Sequence, residues 1–579
     1  MKKFWDKYWV YIVIVIVGLI VSLPLCREGM IGGHDMAFHV FRARGTMNAI
    51  EDGQLIPQVD PNVLDGVGHS WNIFYGPLST YIVAVFKLVT PSWVVAINLF
   101  MVLTVILSGV FLYKFAYEVT GKKVLALVAG IIYMTAPYHL ADIYIRQAHG
   151  ELLPFVFIPL VFLGLYRLVK ARQGAVRDIA IGVAGIILSH NVSIIIVGVF
   201  ALIYMVMNRE KFLEKDVLKK LLLAGMIALG ISAFFWMPMV EAKMSGIYNV
   251  FDSEFMTSAM GVNSGSILGN TVLPHRLLVD NWTIDGRMQY RLGLATILGL
   301  ILLIVNRQRI PKKLREDLKQ MAIIGGITVG LAVIPVWALM PQILLSVQFL
   351  WRFLMISTMF LSILAGAGFY YGFEAKIKNR RGRIILLVAV TVLAILSSLN
   401  ILIHGATTDI GWGGNYDYSY ESKIGMGVSR AEYLPISMYN NPENSNIPYV
   451  IVDENLKTKL REPVVLEGDI RLSRYSKDGS RMRVEIENSG NGKIELPVVY
   501  YAGYKAESIN ENGERLRLRT SVSDGGFLQV ELTDEMRSGT IETYYGMSGA
   551  TVAGVIISIG TVAMCGVGLA LRRENSLSR

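Results

Sequence analysis

The run YWVYIVIVIVGLIVSLPL, residues 8–25, carries no charged residue. It approaches the roughly 20 apolar residues that a helix needs to cross a bilayer core. The preceding MKKFWDK would also suit a signal peptide, but no small-x-small cleavage site follows and the LPLC ending is a weak lipoprotein box. The segment therefore reads as an uncleaved first membrane helix. Comparable runs recur near 93–116, 124–137, 151–168, 178–190, 191–207, 221–240, 291–306, 320–340, 343–372, 384–404 and 547–571, which makes about 12 spans. The segment 77–90 is too short to count as a crossing and reads as re-entrant or interfacial. The chain has 579 residues, 53% hydrophobic and 17% charged, with a mean hydropathy of +0.47. A soluble protein of that composition would expose too much apolar surface, so the fold class is a polytopic α-helical membrane protein.

The charges set the orientation. KARQGAVR (170–177), NREKFLEKDVLKK (208–220), NRQRIPKKLREDLK (306–319), KIKNRRGR (376–383) and the tail RRENSLSR all fall on the side of the N-terminus when 77–90 does not cross. By the positive-inside rule that side is the cytoplasm of a multi-pass plasma-membrane protein, with both termini inside. The same clustering explains the net charge of +10 without nucleic acid as a partner. Cys26 and Cys565 sit at or inside apolar runs and imply no disulfide framework.

Residues 26–76, 138–150, 241–290 and 405–546 then face outward. From about 405 the hydropathy drops, and YVIVDE, RMRVEIEN, KIELPVVYY, RLRLRT and FLQVELT alternate apolar and polar residues between the turn signals SKDGS, NSGNG, NENGE and SDGG. This is the pattern of antiparallel strands and predicts a β-sandwich-like domain over 405–546. The chain thus divides into a membrane core (1–404), that external domain, and a final helix with a basic tail (547–579).

The outer side gathers unusual polar groups. GGHDMAFHVFRARG (32–45) sets His34, Asp35 and His39 beside Arg42 and Arg44. On a helix, Asp35, His39 and Arg42 share a face at spacings of four and three. A carboxylate there suits a general base or metal ligand beside cations for a phosphate; Asp35 equally suits the N-cap of the helix. In YHLADIYIRQAHGELLPF (138–155), Asp142, Arg146, His149 and Glu151 crowd the start of a span, where charges are used or paired. An ion pair of Arg146 with Asp142 or Glu151 is the plain alternative. IILSHNVSIII places His190 and Asn191 between short apolar runs, as at a cavity or a helix junction. SVQFLWRFLMIS brings Gln348 and Arg352 to the outer end of a long helix, to hold a lipid phosphate or to snorkel. SRAEYLP puts Glu432 and Tyr433 at the entry to the β domain, either at a substrate or in domain packing.

No GxxxxGK[ST], HExxH or paired CxxC occurs, so an energy source bound in the cytoplasm is not indicated. Chemistry on the outer face, where nucleotide sugars are normally absent, calls for an activated substrate delivered through the membrane.

GHDMAFHVFRARGTMNAIEDGQLIPQ, GVGHSWNIFYGPLSTY, IRQAHGELLPFVFIPL and LSHN together resemble the bacterial membrane family labelled 6-pyruvoyl-tetrahydropterin synthase-related. RAEYLP and LPVVYYAGYKA are similar to YfhO-like membrane proteins, and both groups belong to the wider GT-C superfamily of membrane glycosyltransferases. The chain shows no soluble pterin-synthase domain, so the pterin label is not read as biochemistry. The resemblance implies an inverting hexosyl- or related sugar transferase. It would take a sugar from a polyprenyl-phosphate donor and pass it to an extracytoplasmic acceptor: an envelope polymer, a glycolipid or a protein. It also implies an essential acid in the first external loop, here Asp35, and a second acid, Glu151 or Asp142. Arg42, Arg146 or Arg352 would offset the leaving phosphate. A divalent metal ion, Mg or Mn, held by Asp35 with His34 and His39, would fit the superfamily, although RQAHGE departs from the DxD-like loop of some relatives. His149, His190, Asn191, Gln348 and Glu432 complete the expected substrate contacts. The rival readings are a transporter or flippase for a lipid-linked envelope precursor and a non-catalytic assembly scaffold.

Overall fold

The computed structural model describes residues 2–577, apart from 65, 259, 279–283, 285, 374–376, 378, 409, 413–430, 439–461, 489, 511 and 536–537. Contacts divide the chain into two units that do not follow chain order. The first comprises 1–36, 85–229 and 262–416, and the second 37–84, 230–261 and 417–579.

The first unit is helical. Trp93–Thr120, Lys123–Arg146, His149–Val169 and Leu350–Gly372 are long and apolar enough to span a membrane, as is Gly549–Gly568 of the second unit. Among the described residues these five become seven if each of two broken helix pairs counts as one crossing, against the twelve expected. Part of the shortfall comes from short helices, and Lys312–Val333, at 22 residues, opens on the charged run KKLREDLK. Asn191–Met207 and Leu294–Val305 are apolar but brief, Tyr8–Val21 is the apolar part of the 20-residue helix Lys2–Val21, and Leu78–Val89 is as short as its sequence implies.

Two expected boundaries move for local reasons. The run 343–372 is not one helix: the chain makes a tight turn at 347–349, where Phe349 N–H donates to Val347 C=O (2.6 Å) and Gln348 is left-handed at φ +57°. Helix resumes only at Leu350. The helix Lys123–Met134 breaks before Pro137, whose ring disfavours a helical Ala136 (φ −59°, ψ 138°). It resumes as Pro137–Ala141 and closes with a π-helical turn, Asp142–Arg146, so most of the expected loop 138–150 is helical.

Glycines let these helices meet closely, as small residues do between membrane helices. In the hairpin of His149–Val169 and Ala175–Ile187, a Cβ on Gly164 would lie 2.8 Å from Ile179 N, and one on Gly182 2.8 Å from Val161 N. Leu294–Val305 and Leu354–Gly372 touch backbone to backbone at Gly299 and Gly368. At the C-terminal end of His149–Val169, Lys170 pairs with Asp317 (2.7 Å), and Arg167 of the last turn bridges Glu118 and Asp178. This ion cluster lies among the segments expected in the cytoplasm. Within the same unit, β1 (Met30–Ile31) pairs antiparallel with a strand at Ile410–Trp412.

The second unit is the mainly-β domain with the parts of the chain that clasp it. β2 (Val59–Asp60) and β3 (His69–Ser70) form a small hairpin in the first loop. With the Ile410–Trp412 strand as β4, the domain supplies β5 (Val464–Glu467), β6 (Ile470–Asp478), β7 (Arg481–Asn488), β8 (Gly492–Val499), β9 (Tyr504–Ile509), β10 (Arg515–Val522), β11 (Phe527–Leu532) and β12 (Ser538–Tyr545). The spatial order is β5-β8-β11-β10-β9-β12-β7-β6, antiparallel throughout. The two expected layers are joined through β10: residues 515–518 pair with β9, and 519–522 with β11. Strict burial alternation in β7 and β9 gives the apolar-in, polar-out pattern read from the sequence. The expected strand YVIVDE lies outside the described residues.

Residues 37–84 are bolted to this sheet. Ser480 N–H donates to Asp52 Oδ1 (2.8 Å), Lys477 Nζ to Pro61 C=O (3.0 Å) and Tyr545 OH to Gln58 Oε1 (3.1 Å). Tyr501 OH contacts His69 Nδ1 (3.2 Å) and donates to Tyr433 C=O (3.1 Å). Phe74 stacks on Tyr433 and Tyr248 on Tyr501, with centroids 5.2 and 5.7 Å apart. The final helix packs on Ala233–Ser245, where Ser558 Oγ donates to Gly230 C=O (3.0 Å) and accepts from Phe234 N–H (3.1 Å).

Candidate functional site

A buried ion network in the first unit joins segments far apart in the chain. The π-helical turn puts Asp142 and Arg146 on one side, and left-handed Gln147 (φ +54°) then reverses the chain so that the next helix starts at His149 with Glu151 in its first turn. Arg146 Nη1 reaches Asp142 Oδ1 (3.0 Å) and Glu151 Oε2 (2.6 Å), while Nη2 reaches Asp35 Oδ2 (2.9 Å). Glu151 also accepts from Tyr138 OH (2.7 Å) and Arg352 Nε (3.3 Å). Arg352 Nη1 donates in turn to Val347 C=O (2.8 Å) and Gln348 Oε1 (3.3 Å). A planar, forked guanidinium is the cation that can serve several carboxylates at once.

Backbone pairing sets Asp35 in place. His34 N–H donates to Ile145 C=O (3.1 Å), Asp35 N–H to Arg146 C=O (2.8 Å), and the Gln147 side-chain amide to Ile31 C=O. Gly33 permits this approach, since a Cβ there would come within 2.8 Å of Gln147 Cγ.

Exposure separates the acids. The Asp35 side chain is 39% exposed, whereas Asp142 and Glu151 are at 0% and 1%. Asp142 Oδ2 is buried without a hydrogen-bond partner among the described residues. Three carboxylates face two guanidiniums, and His190, whose Nδ1 lies 2.8 Å from Ser193 Oγ, stands within electrostatic reach of Glu151. A desolvated network of this kind holds only while its charges stay matched.

The expected residues therefore divide. Asp35, Asp142, Arg146, Glu151, His190, Gln348 and Arg352 come together. His149 is buried beside them in sequence but tilts against Phe100, with centroids 5.4 Å apart, and Asn191 opens the helix Asn191–Met207. His39, Arg42 and Glu432 belong to the second unit. Arg42 is fully buried there, 4.0 Å from the Tyr75 ring centroid, and donates to Gly76 C=O (2.8 Å). Burial lowers its pKa. Its guanidinium holds the turn at 75–76 and presents no accessible face to a phosphate. Glu432 lends its backbone carbonyl to Val250 N–H (2.6 Å).

Among the described residues no three His, Cys, Asp or Glu side chains converge as ligands, and the position beside Asp35 Oδ2 is taken by Arg146. Tyr138, Gln147 and Gly33 are the members that sequence reasoning passed over.

Residues 73–407 match the family described as "6-pyruvoyl-tetrahydropterin synthase related domain; membrane protein". An uncharacterized protein of Lactococcus lactis subsp. cremoris is 28% identical over 585 residues, covering 95% of this chain and 93% of that one. Among solved structures, the arabinofuranosyltransferase AftD from Mycobacteria aligns with a TM-score of 0.44 at 13% identity, over 69% of this chain and 27% of its own. The Archaeoglobus fulgidus oligosaccharyltransferase gives 0.42 at 14%, over 69% and 56%. ArnT from Cupriavidus metallidurans bound to undecaprenyl phosphate gives 0.41 at 13%, over 69% and 76%. The chain spans about a quarter of the length of AftD.

Proposed function

The chain belongs to the 6-pyruvoyl-tetrahydropterin synthase related family of membrane proteins, and we propose that it is an inverting glycosyltransferase that uses a polyprenyl-phosphate sugar outside the cytoplasm. The observation that carries this reading is the half-exposed Asp35 carboxylate held at 2.9 Å by Arg146 over an otherwise buried network. One oxygen is fixed by the guanidinium and the other, Oδ1, is left for an acceptor hydroxyl. Asp35 takes the acceptor proton as the acceptor oxygen bonds to the anomeric carbon; the bond from that carbon to the phosphate oxygen breaks, and the polyprenyl phosphate leaves with the electron pair. Arg352, anchored on Glu151 and Gln348, offsets the charge that grows on that phosphate. Asp142 and Glu151, being buried, act as positioning residues for Arg146. The residues around Asp35 offer no metal ligand set, and no step is routed through a metal.

The helix His149–Val169 supports the sidedness. Its 21 residues extend about 30 Å, the thickness of a bilayer core, with Glu151 at one end and the Arg167 and Lys170 ion pairs at the other. If the basic end is cytoplasmic, Asp35 works outside, on an envelope polymer, glycolipid or protein acceptor.

The test is sugar transfer by the purified protein in lipid, across a panel of polyprenyl-phosphate sugars, with wild type beside Asp35→Asn. Transfer by wild type that is lost in the folded variant supports the assignment. Transfer that survives Asp35→Asn removes Asp35 as the base, and no transfer with any donor turns the reading toward translocation of the lipid-linked substrate.

A further inference from the structure

The helix Lys312–Val333 opens on KKLREDLK, and its uncharged part starts only at Met321. From Met321 to Val333 it rises about 20 Å, against a hydrocarbon core of about 30 Å. Beyond Val333 the chain stays uncharged as far as Trp351 but continues as a 3-10 turn, Pro335–Leu339. Part of the second long loop of the same unit lies against that turn. Ser264 Oγ donates to Ala338 C=O (2.7 Å), and Val272 N–H to Ala332 C=O (2.9 Å).

The two segments leave an apolar surface open. Leu268, Leu273, Leu278, Ile334, Val336 and Leu339 are 40–81% exposed, and neither 262–274 nor 334–341 holds a charged residue. Ile334 also continues the exposed face of Ile323 and Ile327, which precede it by eleven and seven residues on the helical repeat. Exposed apolar surface gathered in this way marks contact with a partner or a membrane. The backbone decides which. A water-facing loop can leave its polar groups to solvent, whereas hydrocarbon tolerates irregular backbone only where its N–H and C=O groups are satisfied within the protein. Here Ile334 N–H donates to Gly330 C=O (2.7 Å), Met340 to Trp337 (3.0 Å), Arg276 to Leu273 (2.9 Å) and Leu292 to Leu277 (3.0 Å). Pro274, Pro335 and Pro341 bring no N–H at all. Trp337 fixes the turn from behind: its Nε1 donates to Leu344 C=O (2.8 Å), and its ring meets Phe353 edge to face at 4.8 Å.

We propose that 264–278 and 334–341 form a cap immersed in the leaflet at the end of Lys312–Val333 away from KKLREDLK, with its open leucine, isoleucine and valine side chains against lipid acyl chains. The cap makes up the depth that the short helix lacks, and 264–278 is then a lipid-covered element and not a loop in water. Because Trp337 packs on Phe353, next to Arg352, the cap also sets that guanidinium at the level of the headgroups. The inference stands without the transferase reading.

Two measurements on the wild-type full chain in phosphatidylcholine nanodiscs test it, so no substitution puts folding at risk. In the first, hydroxyl radicals generated in the water oxidise accessible side chains, and mass spectrometry reads the sites. Ile301, exposed on the apolar helix Leu294–Val305, is the lipid reference, and Leu516, exposed on β10, is the water reference. Because the bilayer core holds no water, Leu273, Leu278 and Leu339 should be oxidised about fivefold or more below Leu516 and close to Ile301. In the second, phosphatidylcholine with a diazirine in its acyl chain is photolysed, and its carbene should mark 264–278 and 334–341 as it marks Leu294–Val305 while sparing β10. Oxidation of the cap at the level of Leu516 overturns the proposal. So does protection from the radicals without carbene labelling, which would mean that a second copy of the chain or another protein covers the patch.

Discussion

Arg146 and Asp35 meet at 2.9 Å across 111 residues of sequence, and the same guanidinium holds Glu151 at 2.6 Å. One cation therefore ties the accessible acid to the buried ones. Arg146→Met would leave Asp142 and Glu151 buried with too little positive charge. Removing one partner of a buried pair costs about 3–5 kcal/mol, so this variant should unfold at markedly lower temperature in detergent as well as lose transfer. Arg146→Lys keeps the charge but not the fork, and should recover stability only in part. Equal melting of wild type and Arg146→Met would refute the network as a structural element.

Asp35 and Glu151 should separate function from stability. Asp35→Asn alters a group that is 39% exposed and should melt close to wild type while transfer falls by two or more orders of magnitude, the usual range for loss of a general base being about 10²–10⁴. Glu151→Gln removes a carboxylate that takes three hydrogen bonds and should lower thermal stability first. The pair is read by differential scanning fluorimetry beside a transfer assay. A stable, inactive Glu151→Gln with an active Asp35→Asn would exchange their roles.

The parts of this site that the sequence displays are charges in places where charges are expensive. Asp35, Arg146, Glu151 and Arg352 stand out because each borders an apolar run. Their mutual arrangement was not legible, because spacing on one helix is a local property. Asp35, His39 and Arg42 do follow a helical spacing, yet Asp35 is claimed by an arginine 111 residues onward, and Arg42 disappears under Tyr75 and Phe38. Tyr138 and Gln147 carry no sequence signal, since a buried hydroxyl and a left-handed glutamine acquire meaning only from what packs against them. The β domain was readable from strict alternation and Gly-Asn-Asp turns, whereas its joining through β10 depends on which strand edges pair. The break at Gln348 escaped notice because no Pro or Gly marks it.

Helix packing offers a test without any assay of function. A Cβ on Gly368 would sit 1.8 Å from Gly299 C=O, a backbone atom that cannot step aside. Gly368→Ala should therefore destabilise the pair Leu294–Val305 and Leu354–Gly372 by about 1–3 kcal/mol or more, as overpacking does. Gly326, within Lys312–Val333, has nothing within 4 Å of its would-be Cβ, so Gly326→Ala should melt with wild type or slightly above it. If both substitutions are neutral, the close backbone contact at Gly299 is wrong.

His69 should make the grip of the β domain on the first loop sensitive to acid. The ring is fully buried beside Tyr501 and Trp71, and burial pushes its pKa down to about 3. Released, the same imidazole would titrate near 6.5. Between these values the released state binds a proton that the packed state refuses, so the stabilisation is fully present above about pH 6.5 and declines as pH falls toward 3. The steepest contribution of one such group is about 1.4 kcal/mol per pH unit. Amide exchange around β3 and the Tyr501–Tyr504 turn should accelerate between pH 6.5 and 4, after correction for the intrinsic rate. His69→Phe, which cannot titrate, should exchange faster at pH 7 for want of the contact to Tyr501 yet show a shallower dependence on acid. A variant whose pH dependence parallels wild type would mean that another group governs release.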